Sequence, residues 1–174
     1  MDKRLAAQFR GYLSKSQGEN FEELIQAACE YYRIKGMAEI EKTPEPMKPV
    51  KNLGDGKFIA YFVKSAQADF KGVIKGGKAI AFEAKSTRSG KLLQSVVTPE
   101  QERQMNAMYK MGAICFVLCS FEGKGFYRIP WEVWENMKEL YGHKYITPEN
   151  VREHEIRITP GGVLKFLEES RELR

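Results

Sequence analysis

The chain has 174 residues, 28 Lys and Arg against 23 Asp and Glu, a formal charge of +5, and 43% hydrophobic residues. A single domain of that size buries roughly 70% of its unfolded surface, so it folds without disulfides or a structural metal. Three cysteines with no C-x-x-C spacing (Cys29, Cys115, Cys119) and no membrane-length apolar run predict a reduced, cytoplasmic protein with no membrane partner.

In chain order, residues 1–17 carry Lys3, Arg4, Arg10 and Lys15 between Phe9, Tyr12 and Leu13. This reads as a basic arm able to lie along phosphates, or simply as a charged, frayed terminus. Residues 18–174 are expected to form one domain. From Glu19 to Arg33, Phe21, Leu24, Ile25, Ala28 and Tyr32 recur at helical spacing, with Glu22 one position round from that face. Residues 42–57 mix Pro44, Pro46, Pro49, Gly54 and Gly56 with Lys42, Lys48, Lys51 and Lys57, which excludes a regular helix and predicts an extended excursion or a protruding hairpin.

Phe58–Val63 reads as a strand. Asp69–Ile74 and Lys78–Lys85 read as two arms of a hairpin around Gly76-Gly77. Thr98-Pro99-Glu100-Gln101 is a helix start, with Thr98 as N-cap, Pro99 at the first helical position and Gln101 closing a capping box. That helix is expected to end near Gly112. Ala113–Phe121 and Phe126–Ile129 follow as strands, then Trp131–Tyr141 and Val163–Leu173 as helices. The order predicts an α/β fold with a mixed central sheet flanked by helices.

The chemistry concentrates at Asp69 and Glu83-Ala84-Lys85. The strand Ala79-Ile80-Ala81-Phe82 should not end in two charged side chains inside a core, because burying ionised groups is costly unless they pair or bind a metal. Hydrolysis of a phosphodiester suits a hard divalent cation, which takes carboxylate and carbonyl oxygens. Asp69 and Glu83 offer two carboxylates and Ala84 a carbonyl. Lys85 shares Glu83's side of the strand and would orient water or offset phosphate charge.

This requires Asp69 and Glu83 to share a sheet face, hence a three-residue loop Lys75-Gly76-Gly77, or a bulge further down the ladder. Glu-x-Lys alone is a weak signal: Glu122-Gly123-Lys124 also matches, in what reads as a solvated turn. On spacing, a surface salt bridge between Glu83 and Lys85 competes evenly with a metal site. His143 and His154 lie in polar segments and read as surface imidazoles. Trp131 and Trp134 read as core.

Taken together, Gly18-x-x-Phe21-Glu22-x-x-Ile25, Tyr31-Tyr32, Lys48-Pro49 and Tyr61-Phe62 begin a recognisable order of motifs. It continues through Asp69-Phe70-Lys71-Gly72-Val73, Phe82-Glu83-Ala84-Lys85-Ser86-Thr87, Gln101…Met105 and Gly112-Ala113-Ile114-Cys115-Phe116-Val117 to Tyr127-x-x-Pro130. Over residues 16–130 the chain resembles RecU-type Holliday junction resolvases. The resemblance implies a restriction-endonuclease-like core with a protruding stalk, a homodimer, and Mg²⁺-dependent cleavage of four-way DNA junctions, with Mn²⁺ as an alternative metal.

It further implies catalytic roles for Asp69, Glu83, Lys85, Glu22 and Gln101, and metal ligation by Asp69, Glu83, Ala84 and Glu22. Residues 42–57 match the stalk, and DNA contacts are expected from Lys48, Lys51, Lys57, Lys71, Arg4 and Arg10. The chain departs from the family pattern at Gln67-Ala68, Ser16-Gln17 and Glu100. A junction-binding modulator of recombination, or a nuclease acting on branched or flapped DNA, are the alternative readings.

Overall fold

The structure is a computed structural model that describes residues 21–63, 67–122 and 124–167. Helix α1 (Phe21–Ile34) forms on the predicted spacing and buries Ile25, Ala28, Cys29 and Tyr32. Strand β1 (Ala38–Lys42) follows, with Ala38 and Ile40 turned inward and Glu39 and Glu41 outward. This five-residue strand is not among the elements expected from sequence, and Lys42 belongs to it rather than to the excursion.

Among the described residues, strands β2 (Met47–Gly54) and β3 (Lys57–Phe62) pair only with each other. Their turn is Asp55-Gly56, where both residues have positive φ (49° and 73°), the geometry that matches the twist of a two-residue hairpin. The excursion therefore starts later than expected, at Met47, and runs on to Phe62. The segment Phe58–Val63 is the hairpin's second arm, outside the main sheet.

Among the described residues the main sheet has six strands in the order β1, β4 (Phe70–Ile74), β5 (Ala79–Thr87), β7 (Ile114–Phe121), β8 (Gly125–Pro130), β10 (Glu155–Ile156). Pairing is antiparallel except between β5 and β7, which run parallel, so the sheet is mixed as expected. Helix α2 (Pro99–Lys110) makes the crossover that a parallel pair requires, on the face opposite α1. Its predicted cap is present in full: Thr98 and Gln101 form a reciprocal capping box, with Pro99 at the start. Strands β6 (Leu92–Leu93) and β9 (Tyr145–Ile146) pair beside it.

One core lies on each face of the sheet. On the α1 side, Phe70, Phe82 and Phe116 sit opposite one another on three adjacent strands and stack at 4.9 and 4.6 Å. Each such pair adds about 0.5–1.5 kcal/mol beyond its burial. The α2 side packs Ala81, Met105, Val117, Cys119, Trp131 and Trp134, which bears out the two tryptophans as core residues.

Two predicted helices differ. Trp131–Tyr141 is broken into α3 (Trp131–Glu135) and α4 (Met137–Tyr141), because the Gln94 amide donates to the carbonyls of Trp134 (2.7 Å) and Glu135 (3.1 Å) and takes them out of the helical ladder. The described part of Val163–Leu173 is not helical. There Leu164 bridges to Ile158, and the buried Tyr32 hydroxyl donates to Leu164 O and accepts from Leu167 N. Both histidines are half-buried rather than at the surface. No helix among the described residues is long and apolar enough to cross a membrane.

Candidate active site

The ladder of β4 and β5 decides where the acids point. Phe70 pairs with Phe82 and both enter the α1-side core. One step further, Asp69 stands opposite Glu83, and by strand alternation both face the α2 side. The loop between the arms is the three-residue Lys75-Gly76-Gly77, closed by the Ile74 amide donating to Lys78 O at 3.0 Å. The required parity is met.

Glu83 is 0% exposed, the one charged side chain fully buried among the described residues. Its Oε2 accepts from Lys85 Nζ at 2.8 Å and from Gln101 Nε2 at 2.7 Å. Asp69 Oδ2 accepts from the Ala84 amide at 2.9 Å and from Lys85 Nζ at 3.2 Å. Lys85 thus lies between the two carboxylates, its side chain 18% exposed and that of Asp69 29%. The competing reading of a surface salt bridge fails, because the Glu83 end of the pair is inside the protein.

Gln101 is fixed at both ends. Its Oε1 accepts from the Thr98 amide (3.1 Å), which turns its NH₂ group towards Glu83. A helix cap and a site contact are therefore one side chain. The capping half was legible from Thr98-x-x-Gln101, whereas the reach to Glu83 depends on how α2 lies across β5.

Burial, and next the neighbouring Asp69 carboxylate, push the Glu83 carboxyl up to about 7, against the opposing pull of Lys85. Burial pulls the Lys85 ammonium down, but Glu83 and Asp69 outweigh it and leave it raised. Glu83 Oε1 is buried without a hydrogen-bond partner. An orphaned carboxylate oxygen beside a second carboxylate fits a cation with hard oxygen preferences. Among the described residues no three acidic, histidine or cysteine side chains converge as a ready metal cage. The two carboxylates and the free Oε1 fit a divalent ion that takes one or two carboxylates and keeps waters.

The other predicted residues lie apart from this cluster. Glu22 on α1 is ion-paired with Lys42 at 2.6 Å. That bond raises the Lys42 ammonium, and Asp69 adds a smaller push in the same direction, so Lys42 sits within Asp69's field. Ala84 contributes its amide to Asp69. Lys71 donates to Gln67. Lys48, Lys51 and Lys57 are exposed on the β2–β3 hairpin. Arg4, Arg10 and the basic arm lie outside the described residues.

The family model for RecU, Recombination protein U, matches residues 16–171. The chain is 34% identical over 122 residues to the Holliday junction resolvase RecU of Streptococcus gordonii, covering 66% of this chain and 60% of that protein. It is 36% identical over 112 residues to the protein of the same name from Streptococcus sanguinis, covering 61% and 56%. The chain thus spans less than two thirds of these relatives' length. Among solved structures, Hjc of Archaeoglobus fulgidus, a Holliday junction resolvase, aligns with a TM-score of 0.46 at 10% identity over 76% of this chain and 92% of Hjc, too loose a likeness to bear on function. The family match spans both faces of the sheet and all of Asp69, Glu83, Lys85 and Gln101: the chain belongs to the RecU, Recombination protein U, family.

Proposed function

We propose that this chain is a divalent-metal-dependent endonuclease that resolves four-way DNA junctions as a homodimer, using Mg²⁺ with Mn²⁺ able to substitute. The observation that carries it is the buried Glu83 with its unpartnered Oε1, set beside Asp69 and Lys85. The relatives named Holliday junction resolvase RecU support the choice of substrate.

Asp69 and Glu83 would hold the cation, with the Ala84 carbonyl as a third oxygen. The chemistry a bound cation supplies is Lewis acidity towards the scissile phosphate. Lys85, kept charged by the two carboxylates, holds a proton-rich group where it can orient water or balance phosphate charge. Gln101 fixes the Glu83 carboxylate by occupying Oε2, so that Oε1 would be the oxygen available to a cation. Glu22 would enter the metal site only by giving up its pair with Lys42. Lys48, Lys51 and Lys57 on the hairpin, Lys71, Arg4 and Arg10 would contact phosphates, which positions the protein without reading sequence.

The test is a panel of four-way junction, flap, nicked and linear duplex, each with and without Mg²⁺. Junction cleavage that requires the metal and is abolished by Asp69→Asn, with binding retained, is the expected result. Metal-insensitive binding with no cleavage would instead make the protein a junction-binding modulator. Preferential cutting of flaps would make it a nuclease of branched DNA more generally.

A further inference from the structure

The β2–β3 hairpin is entered through residues 43–46 and left at Val63, and its incoming leg passes the backbone of Ala68 and Asp69. The β1–β4 ladder ends at Lys42 opposite Phe70. One step beyond, the Thr43 amide donates to Asp69 O at 2.8 Å, and the Thr43 hydroxyl donates to Ala68 O at 2.6 Å. Ala68 is buried on the α2-side core. Above this clamp, the Val63 amide donates to Pro46 O at 2.8 Å. The incoming leg therefore holds the outgoing one at two levels, and the lower level is the peptide that carries the acid.

We propose that Thr43 is a positioning residue that clamps the root of the hairpin to the Ala68-Asp69 backbone and so fixes the Asp69 carboxylate relative to Glu83 and Lys85. This rests on the nuclease reading for its effect on catalysis, but its structural half does not. The amide bond of Thr43 is a ladder bond any residue could make. The hydroxyl bond is specific, since a buried carbonyl next to the acid loses its side-chain donor when Thr43 is changed. Asp69 lies just before β4 begins at Phe70, so the Thr43 bonds stand at the end of the β1–β4 ladder. A shift of about 1 Å at such a group costs on the order of 100-fold in rate, and a partial loosening costs less.

The experiment compares wild type with Thr43→Val, which keeps the branched shape and removes the hydroxyl, and Thr43→Ser, which restores it. Amide hydrogen exchange is followed by NMR in metal-free protein, and junction cleavage is measured alongside. In Thr43→Val the Ala84 amide, which donates to Asp69, and the Val63 amide are expected to exchange at least about tenfold faster. Cleavage is expected to fall by a similar factor with junction binding unchanged, and Thr43→Ser should recover both. Unchanged exchange at Ala84 and Val63 would overturn the proposal, as would faster exchange spread evenly over the sheet, which marks a general stability effect. If wild type cleaves nothing, the nuclease reading falls, and the exchange data still decide the clamp.

Discussion

At the scale of residues, the decisive quantity is the free energy of an ionised carboxylate inside the protein. Glu83 has an ordinary carboxyl value when unfolded and is pushed up to about 7 when folded, first by burial and then by Asp69. Between those values the folded state holds more protons than the unfolded one, so stability falls as pH rises. Metal-free protein is therefore expected to be more stable at pH 5 than at pH 8, by at most on the order of 3 kcal/mol. Glu83→Gln should be the more stable protein at pH 8, with much of this slope removed, when both are followed by urea unfolding. A wild type with flat or rising stability over that range would count against the buried charge. Asp69, Glu83 and Lys85 were legible in the sequence because period-two alternation and hairpin parity are local rules. The Glu22–Lys42 pair and the Thr43 clamp were not legible. The first arises from how α1 lies against β1 and the second from the path of β1 beside β4, contacts between residues 20 and 25 positions apart.

At the scale of elements, β1 and β4 approach each other unusually closely at Gly72. A Cβ built there would lie 1.9 Å from Glu39 O and 2.7 Å from the Ile40 Cα. Gly72→Ala must push the edge strand away or kink it, because the obstruction is backbone. A loss on the order of 1–3 kcal/mol is expected from such overpacking, read as a lower urea midpoint. An unchanged midpoint would mean that β1 is loosely held. The helices show the complementary lesson. The capping box at Thr98 and Gln101 was readable because it is a four-residue pattern. The break at Asn136 and the irregular chain after Val163 were hidden, since Gln94 and Tyr32 capture those backbone groups from 40 and 132 residues away.

At the scale of the whole molecule, a mixed sheet carries a hairpin that, among the described residues, adds nothing to either core. Met47, Val50, Leu53, Phe58, Ile59 and Phe62 are all exposed on it, between 51% and 65%. The α/β order of elements was readable from alternating strands and helices, but sequence could not say that Phe58–Val63 stands outside the main sheet. Its apolar run looks like a core strand, and only the pairing partner distinguishes the two. That hairpin has a consequence for the protein in solution when no other macromolecule is present. Two apolar strands whose outer edges pair with no other described strand invite addition of further strands and growth into aggregates. Pro49, the register shifts after Pro49 and Asn52, and the charges of Lys48, Lys51 and Lys57 all work against such addition. The same lysines that suit phosphates would then also keep the chain dispersed. Replacing all three by serine is expected to lower the concentration at which light scattering appears, most sharply at low salt, where the wild-type repulsion is unscreened. Equal scattering thresholds for the two proteins would assign the protection to Pro49 and the irregular register alone.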